Sequence, residues 1–122
     1  MSQVKIYLYG NCSSCKDAEN VLKSSGVVYE RRDIFRDPLT VGELKDLFSE
    51  IKLRPSEVLS RRSTPFRDQG LASRETSDDE LIDLMSNYPG LLRRPIIVAP
   101  GTVQIGFKRS ALESLAQNYG QG

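Results

Sequence analysis

Two cysteines three positions apart, in Cys12-Ser13-Ser14-Cys15, are the chain's only thiols and stand where an apolar run gives way to a helical pattern. A thiol at the first turn of a helix faces backbone N–H groups without intrahelical partners and the positive end of the helix dipole. Both favour the thiolate, the reactive form of the group. The i, i+3 spacing sets the second sulfur on the same face, where it can close a disulfide with the first. In a βα context this spacing reads as a redox pair and marks the active site. Cys12, at the helix start, is the attacking thiol, and Cys15, one turn further in, is the resolving one. Two competing readings are weaker. Small buried apolar cysteines would suit a core, but Gly10-Asn11 ahead of the helix is an exposed place. Two sulfurs make half a tetrahedral zinc set and the chain has no histidine, so no metal is expected.

The elements that must hold this pair can be read on either side of it. Val4-Lys5-Ile6-Tyr7-Leu8-Tyr9 predicts a strand and Gly10-Asn11 a turn. The helix that follows places Ala18, Val21, Leu22 and Ser25 on one face, with Gly26 suited to its C-terminal cap. Val27-Val28-Tyr29 opens a second strand running toward Ile34, which completes a βαβ unit with parallel strands. After Asp37-Pro38, Thr40-Val41-Gly42-Glu43 has the pattern of a capping box, and Leu44, Leu47, Phe48 and Ile51 the stripe of a helix. Pro55 to Leu59 suggests a short helix, and Gly70 with the polar run after it a loop. Ser77-Asp78-Asp79-Glu80 predicts another box, ahead of a stripe of Leu81, Leu84, Met85 and Tyr88. Pro95-Ile96-Ile97-Val98 reads as a buried strand, Ala99-Pro100-Gly101 as a turn, and Thr102 to Phe107 as its hairpin partner. Ser110-Ala111-Leu112-Glu113 caps a last helix with Leu112, Leu115, Ala116 and Tyr119 inward. The order is β-α-β, several helices, then β-β-α. That predicts an α/β, thioredoxin-like (glutaredoxin-like) fold with a central mixed sheet and a helical insertion between the βαβ and ββα halves. Residues 1–122 make a single domain, with the insertion over about 38–92.

Composition narrows the function classes. The 122 residues, 39% hydrophobic and 27% charged, fit one ordinary folded domain. No apolar stretch approaches the roughly 18 residues of a membrane span, and Met1 to Lys5 lead straight into the first strand without room for a signal peptide. A cytoplasmic protein is expected, where a reversible disulfide is more at home than a structural one. The net charge of +1 does not ask for a nucleic acid partner. The five acids between Glu75 and Gly90 are explained by helix capping. Of the doubled arginines, Arg31-Arg32 and Arg61-Arg62 read as solvated surface, whereas Arg93-Arg94 directly precedes the buried strand.

Cys12-Ser13-Ser14-Cys15, together with Gly90-Leu91-Leu92-Arg93-Arg94-Pro95-Ile96-Ile97-Val98, resembles the ArsC/Spx family of arsenate reductases and redox-sensing regulators. Arg36-Asp37-Pro38-Leu39-Thr40, Leu59-Ser60-Arg61-Arg62-Ser63 and Gln104-Ile105-Gly106-Phe107 extend the likeness over nearly the whole chain. The resemblance puts Cys12 on the family's reactive cysteine and Arg94 on an arginine that stabilises charge there. Pro95 falls where thioredoxin folds hold a cis-proline, and Arg62 or Arg61 on a further arginine of the substrate site. The alternative for Arg94 is a strand-edge salt bridge.

That resemblance implies a thiol–disulfide protein with no bound cofactor. Thioredoxin, or glutathione with glutaredoxin, would restore the dithiol. Two readings follow: an arsenate reductase-like enzyme, or a switch whose disulfide alters binding to the C-terminal domain of the RNA polymerase α subunit. The second cysteine is a mark of the regulators, since reductases of the family carry Ser where Cys15 stands. The region Ile51-Lys52-Leu53-Arg54 lacks the glycine of the regulator's polymerase contact, and the chain stops at Gly122, short of the regulator's longer tail. On the reductase side, no arginine appears in the last hairpin before Arg109.

Overall fold

The structure is a computed structural model that describes residues 3–120. The chain divides into two compact units. One joins the residues up to Ile34 with those from Arg94 onward, and the other is the continuous segment Phe35–Arg93.

The first unit holds the sheet, formed by β1 (Val4–Leu8), β2 (Tyr29–Asp33), β3 (Ile96–Ala99) and β4 (Thr102–Ile105) in the order β2-β1-β3-β4. β1 and β2 are parallel, with Val4 opposite Tyr29 and Leu8 opposite Asp33. β3 runs antiparallel to both β1 and β4. Interior and edge strands differ as their sequences require. Every residue of β3 is buried, while β2, on an edge, exposes Glu30 and Arg31. α1 (Ser13–Ser24) connects the parallel pair and α5 (Arg109–Tyr119) follows β4. Cys15, Ala18, Val21 and Leu22 of α1 join Leu112, Leu115 and Ala116 of α5 in one core with Val4, Ile6, Leu8 and Ile97. Burying each large aliphatic side chain of this set stabilises the unit by about 1.5–3 kcal/mol. With its crossover helix, mixed sheet and closing ββα segment, this is the thioredoxin-like α/β fold expected from the sequence.

Gly26 ends α1 as its position suggests. It takes a φ of 73°, and the Gly26 and Val27 N–H groups return to the carbonyls of Lys23 and Leu22 at 3.1 and 3.0 Å. This is a Schellman motif, which a residue with a Cβ would strain.

The second unit is helical: α2 (Val41–Ile51), α3 (Thr64–Asp68) and α4 (Asp78–Asn87), with single 3-10 turns at Pro55–Val58, Leu71–Ser73 and Pro89–Leu91. The predicted box at Thr40 is formed in both directions, and Leu44, Leu47, Phe48 and Ile51 are all buried. Among the described residues no helix is long and apolar enough to cross a membrane.

Several elements depart from the pattern reading. β2 begins at Tyr29, because Val27 forms an isolated bridge with Gly120 and Val28 is 58% exposed. α3 went unread since its five residues bury one apolar side chain, Phe66, too few to show a period. At α4 Ser77 accepts the Glu80 N–H, but the Glu80 carboxylate pairs with Arg74 at 2.6 Å. Ile82 joins Leu81 and Met85 in the buried face, and Tyr88 is 40% exposed at the helix end. The last helix starts at Arg109 with Lys108 as its cap, so Ser110 lies inside it.

Candidate functional site

Cys12 is the N-cap of α1, in extended backbone conformation (φ −92°, ψ 122°). The turn that delivers it is tied at several points. Cys12 N–H donates to the Tyr9 carbonyl at 3.0 Å, and Lys16 N–H donates to the Cys12 carbonyl at 3.0 Å. Gly10 N–H donates to Asp33 Oδ2 at 3.1 Å, which anchors the loop to the end of β2. A Cβ at Gly10 would stand 3.0 Å from that same oxygen, so a larger residue would require the Asp33 carboxylate to shift by a few tenths of an ångström. Further along α1, Glu19 accepts from Tyr29 Oη and from Arg31 Nε, both at 2.9 Å, and ties the helix to β2. Burial, then the neighbouring Glu19, pushes the Tyr29 hydroxyl up to about 12.

The two sulfurs occupy unlike environments. Cys12 is half-buried, Cys15 is 1% exposed, and both are free thiols here. Partial burial pushes the Cys12 thiol up. It is outweighed by hydrogen bonds from the Ser14 hydroxyl and from the Cys15 thiol and backbone N–H, with help from the Arg94 charge. The result lies below the ordinary thiol value. Burial dominates at Cys15 and, with the charge of Cys12, pushes its thiol up to about 12 against the Tyr9 N–H and Arg94. Cys12 is thus the group that ionises first, and Cys15, held chiefly by burial, the one that keeps its proton longer.

The remaining predicted residues divide between the units. Arg94 precedes β3 in the sheet unit, and its charge acts on both sulfurs. The Arg94–Pro95 peptide bond is cis, Pro95 is buried, and its carbonyl accepts the Gly106 N–H at 2.8 Å. Arg62 belongs to the helical unit. It lines a concavity of about 490 Å³ with Ser56, Glu57, Ser60, Arg61 and Arg93. Arg61 lies over the Phe66 ring, 5.8 Å from its centroid. Among the described residues no cluster of three or more His, Cys, Asp or Glu could hold a metal ion.

Sequence reasoning missed Ser14, whose Oγ lies 3.1 Å from Cys12 Sγ, and Asp33, the anchor of Gly10. The first had a signal: a hydroxyl two residues after the cysteine at the helix start. The second had none, because 23 residues separate the partners.

Comparison with known proteins gives a consistent picture. The model of the ArsC family matches residues 7–115. The chain is 30% identical over 109 residues to the global transcriptional regulator Spx 1 of Bacillus cereus, covering 89% of this chain and 83% of that one. It is 34% identical over 117 residues to the global transcriptional regulator Spx of Streptococcus mutans, covering 95% and 85%. Among solved structures it is similar to one described as a possible arsenate reductase from Streptococcus mutans. The TM-score is 0.79 at 26% identity, over 94% of this chain and 98% of the other.

Proposed function

Because the chain belongs to the ArsC family, we propose that it is a thiol–disulfide redox protein that works through a reversible Cys12–Cys15 disulfide and acts as an arsenate reductase-like oxidoreductase. The Cys12 thiolate attacks arsenic(V) and displaces hydroxide, which takes up a proton from solvent and leaves as water. Arg94 steadies the oxyanion so formed, as a guanidinium can by forking onto two oxygens. Bond formation removes the negative charge of Cys12, one of the causes that hold the proton on Cys15. Cys15 then loses that proton and attacks the Cys12 sulfur. The S–S bond forms, the S–As bond breaks, and its electron pair leaves with arsenic as arsenic(III). An external thiol, from thioredoxin or from glutathione with glutaredoxin, returns two electrons by exchange. Pro95 belongs to substrate binding in this proposal, and the reaction needs a reducing compartment such as the cytoplasm to restore the dithiol.

The observation that supports a working dithiol most is the placement of the pair, Cys12 half-buried at the start of α1 and Cys15 one turn in and 1% exposed. The likeness to a solved structure described as a possible arsenate reductase supports the reductase form of it. A second reading rests on a different observation, the relatives named Spx at 30% and 34% identity. In it the same disulfide switches binding to the α subunit of RNA polymerase, and no substrate is turned over.

The deciding experiment traps thiols across a glutathione redox series, reads them by mass spectrometry, and assays arsenate turnover on the same sample. A reversible disulfide with turnover, both lost in Cys12→Ser, establishes the reductase. A disulfide without turnover, and with redox-dependent binding to the C-terminal domain of the polymerase α subunit, establishes the switch. No disulfide in any buffer overturns both.

A further inference from the structure

We propose that Ser14 is a positioning residue for Cys12, its hydroxyl donating to the attacking thiolate across 3.1 Å and holding that sulfur at the mouth of α1. The proposal rests on the redox reading of the pair and adds a member to its machinery. Ser14 is the second residue of α1, past the capping position, so its side chain is not the helix cap. A serine further along a helix can bond back to a carbonyl of the preceding turn. Ser24 does so in the same helix, donating to the Asn20 carbonyl at 2.8 Å, whereas Ser14, in the first turn of α1, has no helical turn before it. Ser14 instead meets sulfur, and it is only half-buried, so solvent was available to it as a partner.

The hydroxyl suits this task because it rotates. It donates to a thiolate and accepts from a thiol, so the contact survives protonation in either direction. Donation to the charged form is the stronger of the two. Closing the disulfide removes the charge and weakens the bond. Ser14 therefore favours the open pair, with Cys12 ionised, over the disulfide. The other groups acting on the Cys12 thiol are the Cys15 thiol and N–H from α1 and the Arg94 guanidinium ahead of β3.

The test uses the full chain with Ser14→Ala and Ser14→Thr, each checked for an unchanged melting temperature. The pH profile of iodoacetamide alkylation at Cys12 is read by mass spectrometry. In Ser14→Ala the midpoint rises by about one pH unit, the size expected for one hydrogen bond to a charged group. Ser14→Thr keeps the parent midpoint because it keeps the hydroxyl. In a glutathione series, where the dithiol and oxidised glutathione give the disulfide and two reduced glutathiones, Ser14→Ala shifts the balance toward disulfide by up to about tenfold. An unmoved midpoint in Ser14→Ala overturns the role of Ser14. So does a Ser14→Thr midpoint that moves as far as that of Ser14→Ala, since the loss would then be one of packing. A parent chain whose Cys12 alkylates with an ordinary midpoint and forms no disulfide defeats the redox reading itself, which separates the two failures.

Discussion

Helices α1 and α2 start in opposite ways. At α2, Thr40 Oγ1 accepts the Glu43 N–H and the Glu43 carboxylate accepts the Thr40 N–H, both at 3.1 Å. Two otherwise unpaired amides are satisfied, and an acid sits against the positive end of the dipole. At α1 the cap is Cys12, the first turn carries no acid, and the sulfur takes the Ser14 hydroxyl. The closed end contributes stability. The open end keeps its field for a charge that comes and goes. Hydroxyl caps recur in the helical unit, where Ser63 and Ser77 accept from first-turn amides. Its exposed ion pairs Arg54–Asp78 and Arg74–Glu80 are each worth at most about 1 kcal/mol. In the sheet unit the polar contacts of Gly10, Ser14 and Glu19 converge instead on the placement of α1.

If the open end is a place for charge, pH must load it, and the largest effect is expected there. The Cys15 thiol ionises near 9.0 in an unfolded chain and is held protonated to about 12 in the folded one. The folded state then binds more protons, so its stability is intact below pH 9 and falls as pH rises toward 12. Tyr29, raised from 10.0 to about 12, acts in the same direction. Cys12, held low, acts oppositely: its thiolate stabilises the fold above pH 9, and that contribution is lost as pH falls through its folded value. Urea midpoints measured between pH 7 and 11 should fall at the alkaline end, and Cys15→Ala should flatten that fall. An equal fall in Cys15→Ala would show that the buried thiol does not carry it.

The next effect compares the two helix ends with the same probe. In a Cys12→Ser background, Thr40→Cys places a thiol at the start of α2, beside the Glu43 carboxylate that now accepts the Thr40 N–H. That acid opposes ionisation, so the new thiol should alkylate at pH 7 about tenfold more slowly than Cys12 in the parent. Equal rates would mean that any helix start activates a thiol and that the surroundings of Cys12 add nothing.

How far these ends were legible in the sequence follows from how local their causes are. The box at Thr40 is written in four consecutive residues, and the burial of Leu44, Leu47, Phe48 and Ile51 in one period. Both were readable. Cys12 and Cys15 were readable by spacing, and the cis bond before Pro95 through the resemblance that placed it. The order of the two thiols was readable as well, Cys12 at the helix start and Cys15 one turn in. How far Cys15 is pushed up depends on the depth to which the core takes it, and the charge of Arg94, which lowers both thiols, arrives only after the whole helical segment. No window of sequence contains either. α3 was lost for a simpler reason, since a single turn around Phe66 has no periodicity to detect. Ser110 fits the pattern of a cap, but the backbone is already helical at Arg109.

Closing off the box at α2 should cost stability and leave the chemistry alone. Thr40→Ala removes the acceptor of the Glu43 N–H and is expected to destabilise the chain by about 1 kcal/mol. The alkylation midpoint of Cys12 should not move. A shifted midpoint would show that the two helix starts are coupled.

The smallest expected effect comes from making α1 begin as α2 does. Ser13→Asp puts an acid in the first turn, where α1 has none and α2 has Glu43. An acid there interacts favourably with the helix end by about 0.3–1 kcal/mol, and Ser13 is exposed, so the fold should tolerate it. The same charge stands next to Cys12 and competes with its thiolate for the amides and the dipole. The alkylation midpoint should rise by roughly half a pH unit, less than for loss of the Ser14 hydroxyl, because solvent screens an exposed carboxylate. The shift should shrink as salt is raised, whereas that of Ser14→Ala should not, since a hydrogen bond is not screened. An unmoved midpoint at low salt would mean that the field of the helix end contributes nothing to the thiolate, and that the hydrogen bonds from Ser14 and Cys15, together with the charge of Arg94, suffice to hold it low.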